Sequence, residues 1–246
     1  MACETHCTLG AFQLELAEDG KLVALLAGAH EILSFTEYEH DFGAGRVFRP
    51  MGWDECFPTI EPFGDSPAMG DLVGRAPDVV TSLHAVSQIW RTNRYVAKRE
   101  FASRGASVLE VRFSVENVSR EEIEFLWASH ALFSIEGLLE VELPDGSRLD
   151  DFSLDGTCRK YFVNAGEPVR MRRADMTLAL DTDQPYWGIW LNRGGWPQSK
   201  PAGFAALGIE ATNARSDSPQ GAKIAPGARF QGWVRLEIMG EETDGA

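Results

Sequence analysis

The chain is predicted to be an all-β protein, folded as a large antiparallel β-sandwich. Three observations predict this. Apolar and polar residues alternate with a period of two through most of the chain. Turn-forming Pro, Gly and Asp clusters punctuate those runs. The runs are also spread over the whole length with few helical patterns between them, which suits one large antiparallel domain spanning residues 1–246.

The clearest alternation is Leu109, Val111, Phe113 and Val115 against Glu110, Arg112 and Ser114. A second is Phe230, Val234, Leu236 and Ile238 against Gln231, Trp233, Arg235 and Glu237. Each reads as a strand with one face on a core. Near the start, FQLELA and KLVALL flank Glu18-Asp19-Gly20, a hairpin signal. Pro144-Asp145-Gly146 and Pro226-Gly227 mark further turns. Other strand candidates are 84–91, 94–102, 160–164, 169–172, 176–181 and 186–191. Segment 120–137 holds good helix formers, but the strands before it need a pairing neighbour, so it is read as strand. Segments 41–78 and 192–228 are rich in Gly and Pro and read as long loops with an occasional strand.

The chain has 246 residues and a net charge of -14, a field that repels nucleic-acid phosphates and anionic lipid. No apolar run approaches the roughly 20 residues needed to span a bilayer. The first residues, MACETHCTLGAF, lack the basic and apolar regions of a secretory signal, so a cytoplasmic location is expected. The four cysteines, Cys3, Cys7, Cys56 and Cys158, are too few for a disulfide framework in a chain of this length. Cys3, His6 and Cys7 cluster in CETHC, but zinc needs about four ligands and no second Cys/His pair follows, so no metal is expected.

Phosphate-cradling glycine loops, GxSxG elbows and HExxH motifs are missing. What remains is a set of polar residues set among aromatic ones, in segments 52–62, 125–133, 187–197 and 207–219. His130 stands between Trp127 and Phe133, where desolvation moves its pKa; a core histidine bonded to a carbonyl is the plain alternative. Glu210 follows the apolar run 204–209, a costly place for a carboxylate unless it is paired or faces a pocket; a strand-end glutamate facing water is the plain alternative. Trp53, Trp187, Trp190 and Trp196 suit either a sugar-binding floor or a sandwich core.

Taken in order, these segments resemble the aldose 1-epimerase (galactose mutarotase-like) family. VRFSVENVSREEIEFLWASHALF is similar to that family's strand carrying an Asn followed by a strand carrying a His, at Asn117 and His130. GWDECFPTI is similar to a Gly-Trp/Phe-Asp-Glu-x-Phe-Pro segment near the family's pocket. LGIEATNARSDS resembles the late strand that ends in the catalytic glutamate, at Glu210, and IAPGARFQGWVRL resembles the closing strand. One position departs: in Ala68-Met69-Gly70-Asp71-Leu72, Met69 stands where the family carries a sugar-holding histidine.

The resemblance implies a galactose mutarotase-like supersandwich that binds a sugar and interconverts its anomers. Glu210 would be the base and His130 the acid, with no metal and no organic cofactor. His130 would then carry a proton near pH 7, with its pKa raised by a carboxylate such as Asp54 or Glu55. The expected substrate-binding set is Trp53, Asp54, Glu55, Arg49, Arg75, Asp71, Trp190, Asn192 and Trp196. Arg46, Arg49 and Arg75 could hold hydroxyls or an anionic group on the sugar. The partner is a small sugar or derivative, not nucleic acid or membrane. The alternative is a non-catalytic carbohydrate-binding or regulatory module on the same fold, which Met69 favours.

Overall fold

The computed structural model describes residues 5–43, 45–197 and 204–240. All of its regular structure is β, with no helix among the described residues. Two nine-stranded sheets, antiparallel throughout, form the sandwich. Across the first sheet the order is Thr5–Leu9, Phe12–Leu16, Leu22–Ala27, Trp53–Cys56, Ala128–Phe133, Ala205–Thr212, Tyr186–Arg193 and Cys158–Asn164, with His30–Glu31 beside Leu22–Ala27. The second runs Arg148–Leu149, Leu138–Glu142, Val169–Arg173, Thr177–Thr182, Arg229–Met239, Val108–Asn117, Tyr95–Ser103, Ala85–Arg91 and Asp78–Thr81.

The alternation in the sequence decides which faces meet. Leu109, Val111, Phe113 and Val115 are buried in the core between the sheets, together with Val234 and Leu236 of the paired strand. The first sheet adds Trp53, Phe133, Trp187 and Ile209 from its inner face. Trp127 stacks on Phe113 with ring centroids 5.5 Å apart and planes within 1°. Gly232 lies under that indole: a Cβ there would come within 2.3 Å of Trp127 Cζ3.

The core also holds a buried ion pair. Arg99 donates Nε to Gln88 Oε1 at 2.8 Å and Nη1 to the Trp53 carbonyl at 3.2 Å, and Nη2 bonds the Gly20 carbonyl. Glu55 Oε1 lies 3.8 Å from Arg99 Nη1, and Glu55 accepts from Trp127 Nε1 at 2.7 Å and Ser129 Oγ at 3.2 Å. Burial pushes the Glu55 carboxyl up to about 7, against the pull of Arg99 and its two donors.

Segment 120–137 contains the strands Ile123–Glu124 and Ala128–Phe133, but the latter pairs with Trp53–Cys56 and Ala205–Thr212 rather than with the strand Val108–Asn117 before it. Segment 192–228, read as mostly loop, contains the central strand Ala205–Thr212. Seven of its eight residues are buried, so both of its faces are covered; period-two alternation is lost where a strand is buried throughout.

Candidate active site

Strand register assembles the site from residues far apart in sequence. Asp54 pairs with His130, His130 with Glu210, and Glu210 with Gly188, forming one row across four strands. Two residues along, Leu132 pairs with Gly208, Gly208 with Trp190, and Trp190 with Lys160. Residues two apart on a strand point to the same face. Both rows therefore project from the face turned away from the inter-sheet core.

The two glycines in these rows make room for Glu210. A Cβ on Gly188 would lie 3.3 Å from Glu210 Oε2, and one on Gly208 would lie 3.3 Å from Oε1 and 3.1 Å from Trp190 Cβ. A larger residue at either position would crowd the carboxylate, whose side chain is only 1 % exposed.

Its two oxygens are treated differently. Oε2 accepts from Lys160 Nζ at 2.7 Å. Oε1 is buried, 3.6 Å from His130 Nε2, and has no hydrogen-bond partner. A buried carboxylate oxygen left unpaired beside a pocket calls for a donor from a ligand or water. Lys160 Nζ also lies 2.6 Å from Asp217 Oδ1. Burial works against its charge, but Glu210 and Asp217 outweigh burial and hold the amine well above its ordinary value. At the other end of the row, Lys21 Nζ lies 2.8 Å from Asp54 Oδ2 and donates to the carbonyls of Arg49 at 2.7 Å and Met51 at 3.3 Å.

These groups floor a pocket with about 630 Å³ of empty space, open mouth included. Pockets for small ligands are mostly apolar with a few placed polar groups, and the lining here has that make-up. The apolar wall comes from loops. Phe42 and Phe48, on the hairpin His40–Asp41/Val47–Phe48, stack at 4.2 Å. Trp196 lies 5.8 Å from Trp190 and 6.2 Å from Phe42, so the two aromatic segments meet across the mouth. Met69 also lines the pocket and adopts φ +64°, an unusual conformation for a side chain of its size.

Five of the predicted site residues meet in this pocket: Glu210, His130, Asp54, Trp190 and Trp196. The others lie elsewhere. Trp53 and Glu55 flank Asp54 on its strand and so point the opposite way, into the core. Asn192 is buried as scaffolding: Nδ2 donates to the Trp196 and Phe204 carbonyls at 2.9 and 3.0 Å, and Oδ1 accepts from Trp196 N. It shapes the loop that presents Trp196. Asp71 accepts from the Tyr95 hydroxyl at 3.1 Å, and Arg75 donates to the Arg91 carbonyl; both line a separate groove. Arg46 is tied to the Ala68 and Val73 carbonyls. The exposed Arg49 side chain lies 4.0 Å from Glu39, and only its carbonyl serves the site, through Lys21. Asn117 braces a turn, donating to the Glu121 and Ile224 carbonyls.

The pKa shift expected for His130 runs the other way. Burial first, then the Lys160 ammonium, pull its pKa down to about 4, against the opposing pull of Asp54 and Asp217. The imidazole is therefore neutral near pH 7.

Sequence reasoning missed Lys21, Lys160 and Asp217. Lys21 follows an Asp-Gly turn, where a lysine ordinarily faces water. Asp217 sits in a Ser-Asp-Ser-Pro stretch that reads as a turn. Lys160 alternates with Tyr161 at the start of a strand, and its partners come from strands whose register the sequence does not display.

Cys3 of the CETHC cluster lies outside the described residues; His6 and Cys7 are on an edge strand. Among the described residues, no group of three or more His, Cys, Asp or Glu side chains is placed to hold a metal ion. No helix among them is long and apolar enough to cross a membrane.

No sequence-family profile and no curated protein matches the chain. Solved structures do match. A protein from Escherichia coli K12, named as a candidate aldose 1-epimerase, superposes with a TM-score of 0.70 at 12% identity, over 97% of this chain and 99% of that one. A galactose mutarotase-like protein from Lactobacillus casei gives 0.66 at 16% identity, over 96% and 100%. A galactose mutarotase related enzyme from Lactobacillus acidophilus gives 0.65 at 13% identity, over 99% and 100%. At such identities the likeness is one of fold: the chain has the galactose mutarotase-like β-sandwich.

Proposed function

We propose that this chain, built on the galactose mutarotase-like sandwich, binds an uncharged aldose and exchanges its anomers, with Glu210 as the base. The observation that carries this reading is the buried, unpartnered Glu210 Oε1 on the floor of an aromatic-walled pocket. Mutarotation opens a cyclic hemiacetal, so it needs an acceptor for the anomeric hydroxyl proton and a donor for the ring oxygen. Glu210 Oε1 supplies the acceptor. Asp54 and the neutral His130 imidazole supply hydrogen bonds to sugar hydroxyls, and Trp190 and Trp196 offer apolar surfaces to its C–H faces. The names of the structurally similar proteins support the same reading.

The preference for an uncharged sugar comes from the local balance. Asp54, Glu210 and Asp217 face two ammoniums, and both of those are already paired with carboxylates. A phosphate or carboxylate on the ligand would enter against that field.

NMR exchange spectroscopy on a panel of aldoses reads binding and anomer exchange together. Wild-type protein is expected to accelerate exchange of an uncharged aldose, and Glu210→Gln to slow it by about 10²–10⁴-fold with the fold intact. One observation favours a second reading, a carbohydrate-binding module without turnover: Lys160 already occupies one oxygen of the base. Sugar binding with no exchange above buffer would establish that reading and rule out the first.

A further inference from the structure

The proposed reaction still lacks its proton donor. His130 is uncharged near neutrality, and the pocket contains two ammoniums instead. They are not equivalent. An ammonium has three N–H donors. Lys21 donates to the Arg49 and Met51 carbonyls, lies 2.8 Å from Asp54 Oδ2, and its side chain is only 6% exposed. Lys160 donates to Glu210 Oε2, lies 2.6 Å from Asp217 Oδ1, and lines the pocket with its side chain 19% exposed.

We propose that Lys160 donates the proton to the ring oxygen, acting as the acid partner of Glu210, and that Asp217 positions its ammonium. This rests on the anomer-exchange reading above and adds the second half of its chemistry. On opening, Glu210 Oε1 takes the proton of the anomeric hydroxyl, C1=O1 forms and the C1–O5 bond breaks. The electron pair that leaves with O5 takes a proton from Lys160 Nζ, giving an open-chain aldehyde, a neutral amine and a protonated Glu210. After rotation about C1–C2, the amine takes the proton of the O5 hydroxyl as O5 attacks C1, and Glu210 returns its proton to O1. Both groups end as they began.

The 2.7 Å contact between the two residues makes this exchange mutually reinforcing. At rest, two carboxylates hold the proton on Lys160. When Glu210 gains the substrate's proton, one of those charges disappears and Lys160 releases its own more readily. Strongly interacting groups titrate as a pair, so the acid is strengthened at the moment the base has acted. His130, 3.6 Å from Glu210 Oε1, stands on the substrate side of the pair as a neutral hydrogen-bonding group.

The discriminating variant is Lys160→Arg. A guanidinium preserves a cation between Glu210 and Asp217 but does not release a proton. Sugar binding and thermal unfolding are expected to stay close to wild type, while anomer exchange of an uncharged aldose falls by about 10²–10⁴-fold. A merely structural lysine would leave Lys160→Arg active. In Lys160→Ala, added ethylammonium is expected to restore part of the exchange in proportion to its concentration. Wild-type exchange retained in Lys160→Arg, or Lys160→Ala without rescue by the amine, overturns the assignment of the acid and leaves Glu210 as base. Wild-type protein that binds sugars without exchanging them overturns both assignments together.

Discussion

Glu210 and Gly188 face each other across adjacent strands, and the missing side chain at Gly188 gives the carboxylate its space beside Lys160. A Cβ there would stand 3.3 Å from both Glu210 Oε2 and Phe162 Cε1. Glu210 is thus placed by a gap as much as by its bonds.

Gly188→Ala tests that gap. The new methyl meets a carboxylate oxygen and a ring edge, both of which can shift a few tenths of an ångström, so the protein should fold. A stability loss of about 1–3 kcal/mol is the usual scale for added core volume. Anomer exchange should fall by about tenfold or more, because small displacements of a reacting group are expensive. Thermal unfolding and NMR exchange on the same sample check the two effects separately.

His130 should stay neutral well below its ordinary range. Its pKa is near 6.5 in an unfolded chain and about 4 in the folded protein. The unfolded state therefore takes up the proton first as pH falls, and the stability tied to the neutral imidazole is lost from pH 6.5 down through about 4. Glu55 has the opposite sign: raised from 4.5 to about 7, it favours folding at low pH, and that contribution fades as pH rises through about 7. The two slopes oppose each other in wild type. Urea unfolding of wild type and His130→Asn at matched pH isolates the first: the stability difference, wild type minus variant, should grow as pH rises from 4 to 6.5. A difference that does not change with pH contradicts a neutral His130.

Ligand charge is a third test. Calorimetric titration with an aldose and with its phosphate ester should show weaker binding of the ester, by about tenfold or more, since one uncompensated like charge commonly costs more than 1.4 kcal/mol at such a site. Tighter binding of the ester would mean that a cation outside the described lining reaches the ligand.

In the core, Gly232→Ala should cost about 1–3 kcal/mol or more, because backbone and indole collide before either can yield. The Cβ would lie 2.3 Å from Trp127 Cζ3 and 2.8 Å from Gln184 Nε2. Trp127→Phe should recover part of the loss in the double variant, and the non-additivity measures the contact.

Strand positions were legible in the sequence where one face meets the core and the other does not. The 108–117 and 229–239 strands showed their alternation openly for that reason. Ala205–Thr212, covered on both faces, did not. The site was legible where chemistry conflicts with surroundings: Glu210 at the end of an apolar run and Asp54 beside a tryptophan. It was illegible where the meaning of a residue depends on register. Nothing local separates Lys160 from Lys98, yet one lies between two carboxylates in the pocket and the other pairs with Glu100 near the surface. The same limit explains Trp53 and Glu55: reading WDE as one polar patch ignored that neighbours on a strand serve opposite faces.

That opposition makes the four-residue strand Trp53–Cys56 intolerant of any change in length. Inserting or deleting one residue between its anchors would send Asp54 toward Arg99 and bring an indole and Glu55 out over the sugar site. The core and the pocket would fail together. Variation in this region should therefore be carried by length changes in the loops on either side, and within the strand by substitution alone.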